Sequence, residues 1–423
     1  MEKRRLISRN VLVISLTAGL WAFGGRMRGP FFPLYVLALG GSYFQIGLIG
    51  SIGSIFMIVA SFFGGYLSDT LGRKKIIYGM GFLISLDTLL YMISPSWEFL
   101  ILASALNSLF VGLRAPSMTA IIADSTSVET RTRGFMADQV LRILAGSVSP
   151  IVVGLFVEKF GVIPAQRLAY ACAFVTSMSA TILRFLFLEE TITKTSEEKK
   201  ELGGILRETF SGFKSTINVL PREVWMLIGT SVIFTSGASL GASFFVTYAI
   251  DDVIGLSASE WGLVYSVMSI ANVLSMVLVA SFSDRFGRLK LILPAMFLTP
   301  LCVVGFVYCK SFVHVIIVLS ALSILGSMMA SPYKALVFDY SPKEHRGRIH
   351  AISNMISSLP GDNIIYQGPS RSIMNGMANM IGGIIYGRFR ALPFYLEAVV
   401  IEISAIVGAL FLRESKKRPK QLR

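Results

Sequence analysis

A few side chains of this sequence could do chemistry, and they stand where ionisable groups are costly. Arg26 and Arg28 fall in an apolar run from about 10 to 38, Asp87 in one over 76–94 and Arg114 in one over 97–119. Asp138 and Arg142 fall in the run over 134–157, and Glu402 in the last, over 391–413. A charge inside such a run must be paired, hydrated or put to use. A guanidinium stays charged at physiological pH and presents a planar fork of donors, so it suits an anionic or hydroxyl-rich solute. A carboxyl kept from water can instead carry a proton. No segment resembles a nucleotide loop, a catalytic triad or a metal cluster. The residues therefore point to a protein that binds and moves something, not to an enzyme, and no cofactor is expected.

The elements that hold these residues follow from composition. The chain has 423 residues, 53% hydrophobic and 15% charged, with a mean hydropathy of +0.67. Soluble domains carry about 25% charged residues. Here runs of some twenty apolar residues recur, and a helix of that length crosses the hydrocarbon of a bilayer with its backbone hydrogen bonds all internal. The runs lie near 10–38, 43–66, 76–94, 97–119, 134–157 and 165–188, then 225–250, 258–280, 289–309, 312–337, 347–387 and 391–413. The net charge of +14 comes from Lys and Arg in the short segments between runs, which argues against a nucleic-acid partner. Those residues alternate: clusters precede the first run and follow the second, fourth, eighth, tenth and last. The rule that cytoplasmic turns are basic places them, with both termini, on the cytoplasmic side of the cell membrane. Trp97 and Trp261 at outer ends and Trp225 at an inner end read as interfacial aromatics. The basic start, Met1 to Arg9, reads as the lead into a retained first span. Cys172, Cys302 and Cys309 read as packing residues, with no disulfide or metal site. The segment 189–224 is too polar to span and reads as a cytoplasmic linker between two six-helix halves, 1–188 and 225–423.

The halves repeat. Gly65-Tyr-Leu-Ser-Asp69-Thr-Leu-Gly72-Arg73-Lys74 is matched by Ser281-Phe-Ser-Asp284-Arg-Phe-Gly287-Arg288, with Asp69 and Asp284 separated by 215 residues. Asp124 and Asp339 stand at the same separation, 215. Two multi-residue matches at one offset mark a duplicated unit. With this loop between spans 2 and 3, the chain resembles the major facilitator superfamily (MFS) of secondary transporters over essentially its full length. The resemblance implies an all-α membrane protein of twelve transmembrane helices in two pseudo-symmetric six-helix bundles, working as a monomer. Helices 1, 4, 7 and 10 would line a cavity that opens alternately to each side.

That frame assigns expected roles. The loop residues Gly65, Asp69, Gly72, Arg73, Asp124, Asp284, Gly287, Arg288 and Asp339 would form a gate, with Asp69 meeting the N-terminus of helix 11, Arg73 reaching Asp124 and Arg288 reaching Asp339. The alternative is that these charges only set topology. Arg26, Arg28, Trp21, Asn107 and Arg114 are substrate candidates, and Gly24, Gly25, Gly29, Pro30 and Pro33 loosen helix 1 around the arginines. Arg26 and Arg28 fall on roughly opposite faces; each binds the solute or pairs with a carboxylate on a neighbouring helix. Asp138 and Arg142, four apart, pair on one face and form part of a structural network with Arg114. Asp87, Asp138 and Glu402 are proton-carrier candidates, although helices 3 and 12 are peripheral in this superfamily. Glu397 is expected to be solvated near the outer interface. The expected function is secondary transport of a small solute, anionic or polyhydroxylated, with a coupling ion such as H+. Alternatives are efflux of lipophilic compounds and a non-transporting sensor of the same fold. Drug–proton antiporters of the superfamily carry an Arg about twelve residues before the helix-4 proline, and here Ser104 stands before Pro116. Their helix-5 pattern is also poor around Pro150. Finally, helices 5 and 11 match at both ends, but Gly383 lies 229 residues after Gly154. Fourteen extra residues therefore fall near 358–372, with breaks expected at Pro360-Gly361 and Gly368-Pro369. This insertion either lines the cavity or plays no part in binding.

Overall fold

The computed structural model describes residues 8–126, 131–192, 220–341, 349 and 373–412, with the backbone alone described at 131–137, 280–281, 284–286, 338 and 373. These residues form helices and short connections, with no strand among them. In the first half, α1 is Arg9–Arg28, continued by a 3-10 turn Gly29–Phe31 and a last segment Phe32–Ala38. Then come α2 (Tyr43–Leu71), α3 (Arg73–Ile93) and α4 (Trp97–Asp124). Next are α5, as Arg131–Ser147 and Ser149–Phe160, and α6 (Val162–Phe187). In the second half, α7 is Arg222–Gly241, continued by Phe245–Thr247 and a π turn Tyr248–Asp252. The chain ends with α8 (Ala258–Phe286), α9 (Leu289–Val307), α10 (Phe312–Tyr340), α11 (Ile373–Arg388) and α12 (Leu392–Phe411).

Ten of these spans are long and apolar enough to cross a membrane. The other two are α1, whose arginines lower its hydropathy, and α11, of which 16 residues are described. The expected insertion at 358–372 and its two breaks lie outside the described residues. Breaks elsewhere have local causes. Pro30 and Pro33 withhold N–H groups where α1 tightens into its 3-10 turn, and Pro150 does so at the joint of α5. In α7 there is no proline. After Gly241 the Phe244 amide bonds back to the Gly241 carbonyl at 2.8 Å, and the helix restarts with a π turn. Such irregular turns inside spans often mark functional positions.

The packing repeats with the sequence. α1 lies on α5 and α6, α2 on α4, and α3 on α4 and α6; correspondingly α7 lies on α11 and α12, α8 on α10, and α9 on α10 and α12. Two crossings, α2 with α11 and α5 with α8, join the bundles and exchange under the same symmetry. Both rely on close backbone approach. A Cβ on Gly47 of α2 would lie 2.7 Å from the Met380 Cα of α11, and one on Gly262 of α8 would lie 2.9 Å from the Ile151 Cα of α5. The membrane face on which α1 begins is called the near side below, and the opposite face the far side. Trp261 sits at the far-side start of α8 but is fully buried. The interfacial position expected for it is corrected, because the ring that the sequence leaves at a helix end packs into the apolar core.

The two repeat loops turn on glycines with matching backbones. Gly72 has φ 95° and ψ 142°, and Gly287 has φ 98° and ψ 146°. This region is open to glycine and strained for a residue with a Cβ, at about 1–3 kcal/mol. Gly72→Ala and Gly287→Ala are each expected to lower thermal stability by an amount in that range. Gly79→Ala on α3, whose Cβ would meet nothing within 4 Å, is the control expected to leave the melting temperature unchanged or slightly raised.

Candidate functional site

On the near side the loop residues form two equivalent clusters. Arg73 makes an ion pair with Asp124, and Arg288 makes one with Asp339. Arg73 also donates to the Ala120 carbonyl at 3.2 Å. Glu190, just after α6, caps the first turn of α3 by accepting from the Arg73 and Lys74 amides at 3.1 and 3.0 Å. A carboxylate at a helix N-terminus is favoured by the orphan N–H groups and the dipole. Asp69 is exposed at the end of α2. The chain before Ile373, where its expected partner at the start of helix 11 would stand, and the Asp284 side chain lie outside the described residues. Gly65 lies on α2, and a Cβ there would meet nothing within 4 Å.

Deeper in the first bundle, two guanidinium groups share one indole. Arg114 of α4 lies 4.0 Å from the centroid of the Trp21 ring of α1, and Arg184 of α6 lies 5.5 Å from it. Arg114 is 9% exposed and Arg184 1%. Arg184 donates from Nε to the Thr17 hydroxyl at 2.9 Å. In each group one terminal nitrogen, Nη1, is buried and without a hydrogen-bond partner. Neither group forms an ion pair among the described residues. The carboxylate on this side of the bundle, Asp138, holds Arg142 with two bonds of 3.0 and 2.8 Å. The cluster thus has more positive than negative charge.

Arg26 and Arg28 go elsewhere, and in opposite directions. Arg26 passes over Gly146 of α5 and donates to the Ser269 hydroxyl of α8 at 2.6 Å, so it joins the two bundles. Arg28 turns into its own bundle, 5.8 Å from the Tyr91 and Tyr170 ring centroids, on the side of Asp87. Asp87 accepts from the Asn107 amide at 2.8 Å and is 3% exposed. Asn107 and Asp87 are therefore partners of each other, and Asp87 points inward although α3 is an outer helix.

On the far side a cluster around Asp252, at the end of α7, ties the two bundles together. Its carboxylate accepts from Tyr43 of α2 at 2.9 Å and from Tyr386 of α11 at 2.7 Å, and it pairs with Arg390 at 3.1 Å. The Arg390 guanidinium covers the Tyr43 ring at 4.5 Å, and Phe244 stacks on Tyr386 at 4.8 Å. Across the other crossing, Glu158 of α5 accepts from the Ser259 amide in the first turn of α8 at 2.8 Å. The bonds that Asp252, Glu158 and Arg26 make between the bundles thus lie toward the far side or at mid-depth.

Besides that of Trp261, a second expected placement is overturned. Glu397 is not solvated: it has 0% exposure and packs against Gly241 of α7. Glu402, five residues on, is half-exposed. Five residues turn a helix by about 140° from the starting face, so the two acids cannot both face α7. Depth along the helix was legible, whereas the buried face was not. Arg184 was missed because it stands four residues from the end of its run, where a lone Arg reads as interfacial. Asp252 was missed because it ends an apolar run beside a turn.

Two bundles of membrane helices, related by an internal repeat and joined along two crossings around inward-facing polar groups, define a membrane transport protein. The sequence profile of the Major Facilitator Superfamily matches residues 14–361, and the chain belongs to that family. It is 28% identical to the multidrug resistance protein MdtG of Salmonella typhi, covering 96% of each chain. It is 23% identical to the quinolone resistance protein NorA of Staphylococcus aureus, covering 98% of this chain and 99% of that one. Among solved structures, the inward-open xylose transporter XylE of E. coli superposes with a TM-score of 0.68 at 15% identity, covering 96% of each chain. A peptide transporter POT in complex with alafosfalin gives 0.70 at 16%, covering 96% of this chain and 94% of that one.

The far-side cluster yields a direct expectation. Asp252→Asn removes the ion pair with Arg390 and weakens two hydrogen bonds, each about 0.5–1.5 kcal/mol. A cysteine at Ala242, which is buried at the break of α7 that precedes this cluster, is expected to react with a polar thiol reagent several-fold faster in the Asp252→Asn background than in the parent. Equal rates would show that the cluster does not hold the far side closed.

Proposed function

We propose that the chain is a secondary active transporter that moves a small anionic or hydroxyl-rich solute by alternating access, as a monomer in the cell membrane. The near side, with Arg73, Lys74, Lys75, Arg288 and Lys290, is the cytoplasmic side. The conformation then faces inward, since the far side carries the Asp252 cluster. The near-side loops act as the opposing gate: Arg73–Asp124 and Arg288–Asp339 brace it, and Asp69 engages the second bundle when it closes.

The observation that carries the substrate class is the pair Arg114 and Arg184 on Trp21, each with a buried guanidinium nitrogen lacking a partner. Buried donors are nearly always satisfied, and charge-assisted bonds to an oxyanion are the strong form of satisfaction available to Arg. The second bundle offers no competing positive charge on α7 between Met226 and Ile250. Arg26 and Arg28, the binding residues expected first from the sequence, take other roles: Arg26 bridges the bundles, and Arg28 is turned toward Asp87. A second reading, efflux of lipophilic compounds, is favoured by the names of the MdtG and NorA relatives. Asp87, Asp138 and Glu402 remain the proton carriers proposed from sequence, with Asp138 already engaged by Arg142.

The test is ligand-induced thermal stabilisation of the purified protein by inorganic phosphate, di- and tricarboxylates, sugar phosphates, neutral sugars and lipophilic cations. An anion or polyol is expected to stabilise, with Arg114→Gln and Arg184→Gln each weakening its binding about tenfold or more, or roughly 1.4 kcal/mol. Stabilisation by cations alone, unchanged in both variants, would replace this reading with the efflux one.

A further inference from the structure

Glu397 is a carboxyl with nothing to answer it. It is fully buried on α12, and neither of its oxygens has a hydrogen-bond partner. The α7 backbone comes up against it at Gly241, the last residue of α7 before its break, and a Cβ there would collide with the carboxyl. Toward the far side, one turn along α12, Phe394 closes over it. The Phe394 ring lies 5.0 Å from Phe245, 5.5 Å from Phe306 and 5.2 Å from Tyr248 by centroid. This aromatic lid is built largely from the restarted segment of α7, the same segment that carries Asp252 to the far-side cluster.

The charged groups on the helices around it are placed elsewhere. On α7, Arg222 and Glu223 stand at the near end and Asp251 and Asp252 at the far end, with Asp252 held by Arg390. On α9, Lys290 is at the near end, and Cys302 is the thiol within the helix. On α11, Arg388 is in the last turn, and the Tyr386 phenol donates to Asp252. The Tyr248 phenol donates to the Val307 carbonyl, and Tyr395 on α12 itself donates to Tyr308. Glu402 faces away. The Gly241 backbone N–H faces the carboxyl without a formed hydrogen bond. A buried carboxylate with no counter-charge and no bonded donor is strongly disfavoured, so the group is held as the neutral acid while the far side is closed.

We propose that Glu397 is a proton-binding site whose occupancy is tied to closure of the far side. When α7 swings its restarted segment away from α2 and α11, the aromatic lid parts and water reaches the acid, which gives its proton to water and is left as the solvated carboxylate with a hydronium ion. Before the lid closes again, a hydronium ion returns a proton to the carboxylate oxygen, leaving water and the neutral acid. The far side can close only over the protonated form, because closing over the anion would bury it unmatched. The sign follows: the closed far side is favoured at low pH and lost as pH rises, since opening lets the acid ionise in water. The site rests on the alternating-access reading above and supplies that reading with a coupling proton, at a position distinct from Asp87, Asp138 and Glu402.

The experiment is a spin-label distance measurement between Pro95 and Val253, which are exposed at the far ends of opposite bundles, on the full chain in nanodiscs across pH 5–9. The parent is expected to shift from a short to a longer distance population as pH rises. Glu397→Gln is expected to stay at the short distance throughout, and Asp252→Asn to lie further toward open yet still respond to pH. A Glu397→Gln variant that titrates like the parent overturns the proposal. If that variant fails to fold, infrared difference spectra of the parent between pH 5 and pH 9 decide instead. Loss of a protonated-carboxyl C=O band, assigned by isotopic labelling of glutamate and absent from Glu397→Asp, supports the site, and no such band overturns it. A parent whose distances never change, with pH or with ligand, would refute alternating access itself; a moving parent with an indifferent Glu397 refutes only this site.

Discussion

A charge removed from water must be met by another group, and the arrangement of this protein follows from how each of its buried charges is met. Ion pairs at the near-side loops, a carboxylate ringed by two phenols and a guanidinium at the far side, and arginines resting on aromatic faces are all answers to that one constraint. Where the protein supplies a complete answer, as at Asp252, the group holds helices together. Where the answer is incomplete, as at Arg114, Arg184 and Glu397, buried polar atoms are left without a partner. These incomplete sites are the ones at which we propose that a solute or a proton binds.

The same constraint explains why the two sides need not close together. The contacts of Asp252 gather at the end of α7, beyond its break after Gly241, while Glu158 and Ser259 meet at the other crossing. The near-side contacts run within each bundle, Arg73 to Asp124 and Arg288 to Asp339, and so stiffen each bundle without tying one to the other. The glycine crossings of α2 with α11 and α5 with α8 lie between these ends and let the backbones pivot closely. Arg26, reaching from α1 to Ser269 on α8, is one of the polar ties near that pivot, which accounts for an arginine on a helix that would otherwise be apolar there.

Much of this was legible in the sequence for a physical reason: duplication leaves a fixed offset, and membrane spans leave long apolar runs. The separation of 215 residues between Asp69 and Asp284 located both loops, and the glycines beside them share one backbone conformation. Helix order followed in the same way, and ten of the expected spans are long and apolar enough to cross a membrane. What was not legible is which way a side chain points. Arg26 and Arg28 were placed on opposite faces, yet nothing in their spacing showed that one would meet Ser269 and the other the side of Asp87. Glu397 and Glu402 differ by five positions and by complete burial against half-exposure. Arg184 and Asp252 sit near the ends of runs, where a charge in sequence reads as interfacial, and only packing shows that a neighbouring helix covers it.

If one set of charges closes the far side while the near side stands open, and the two exchange, the two ends of the molecule must move in opposition. The most direct measurement is a paired set of spin-label distances, Lys75 to Lys290 across the near side and Pro95 to Val253 across the far side, with and without a stabilising ligand. The two distances are expected to change in opposite senses, the near-side pair shortening as the far-side pair lengthens. Distances that lengthen and shorten together, or that do not change under any condition, would contradict alternating access in this protein.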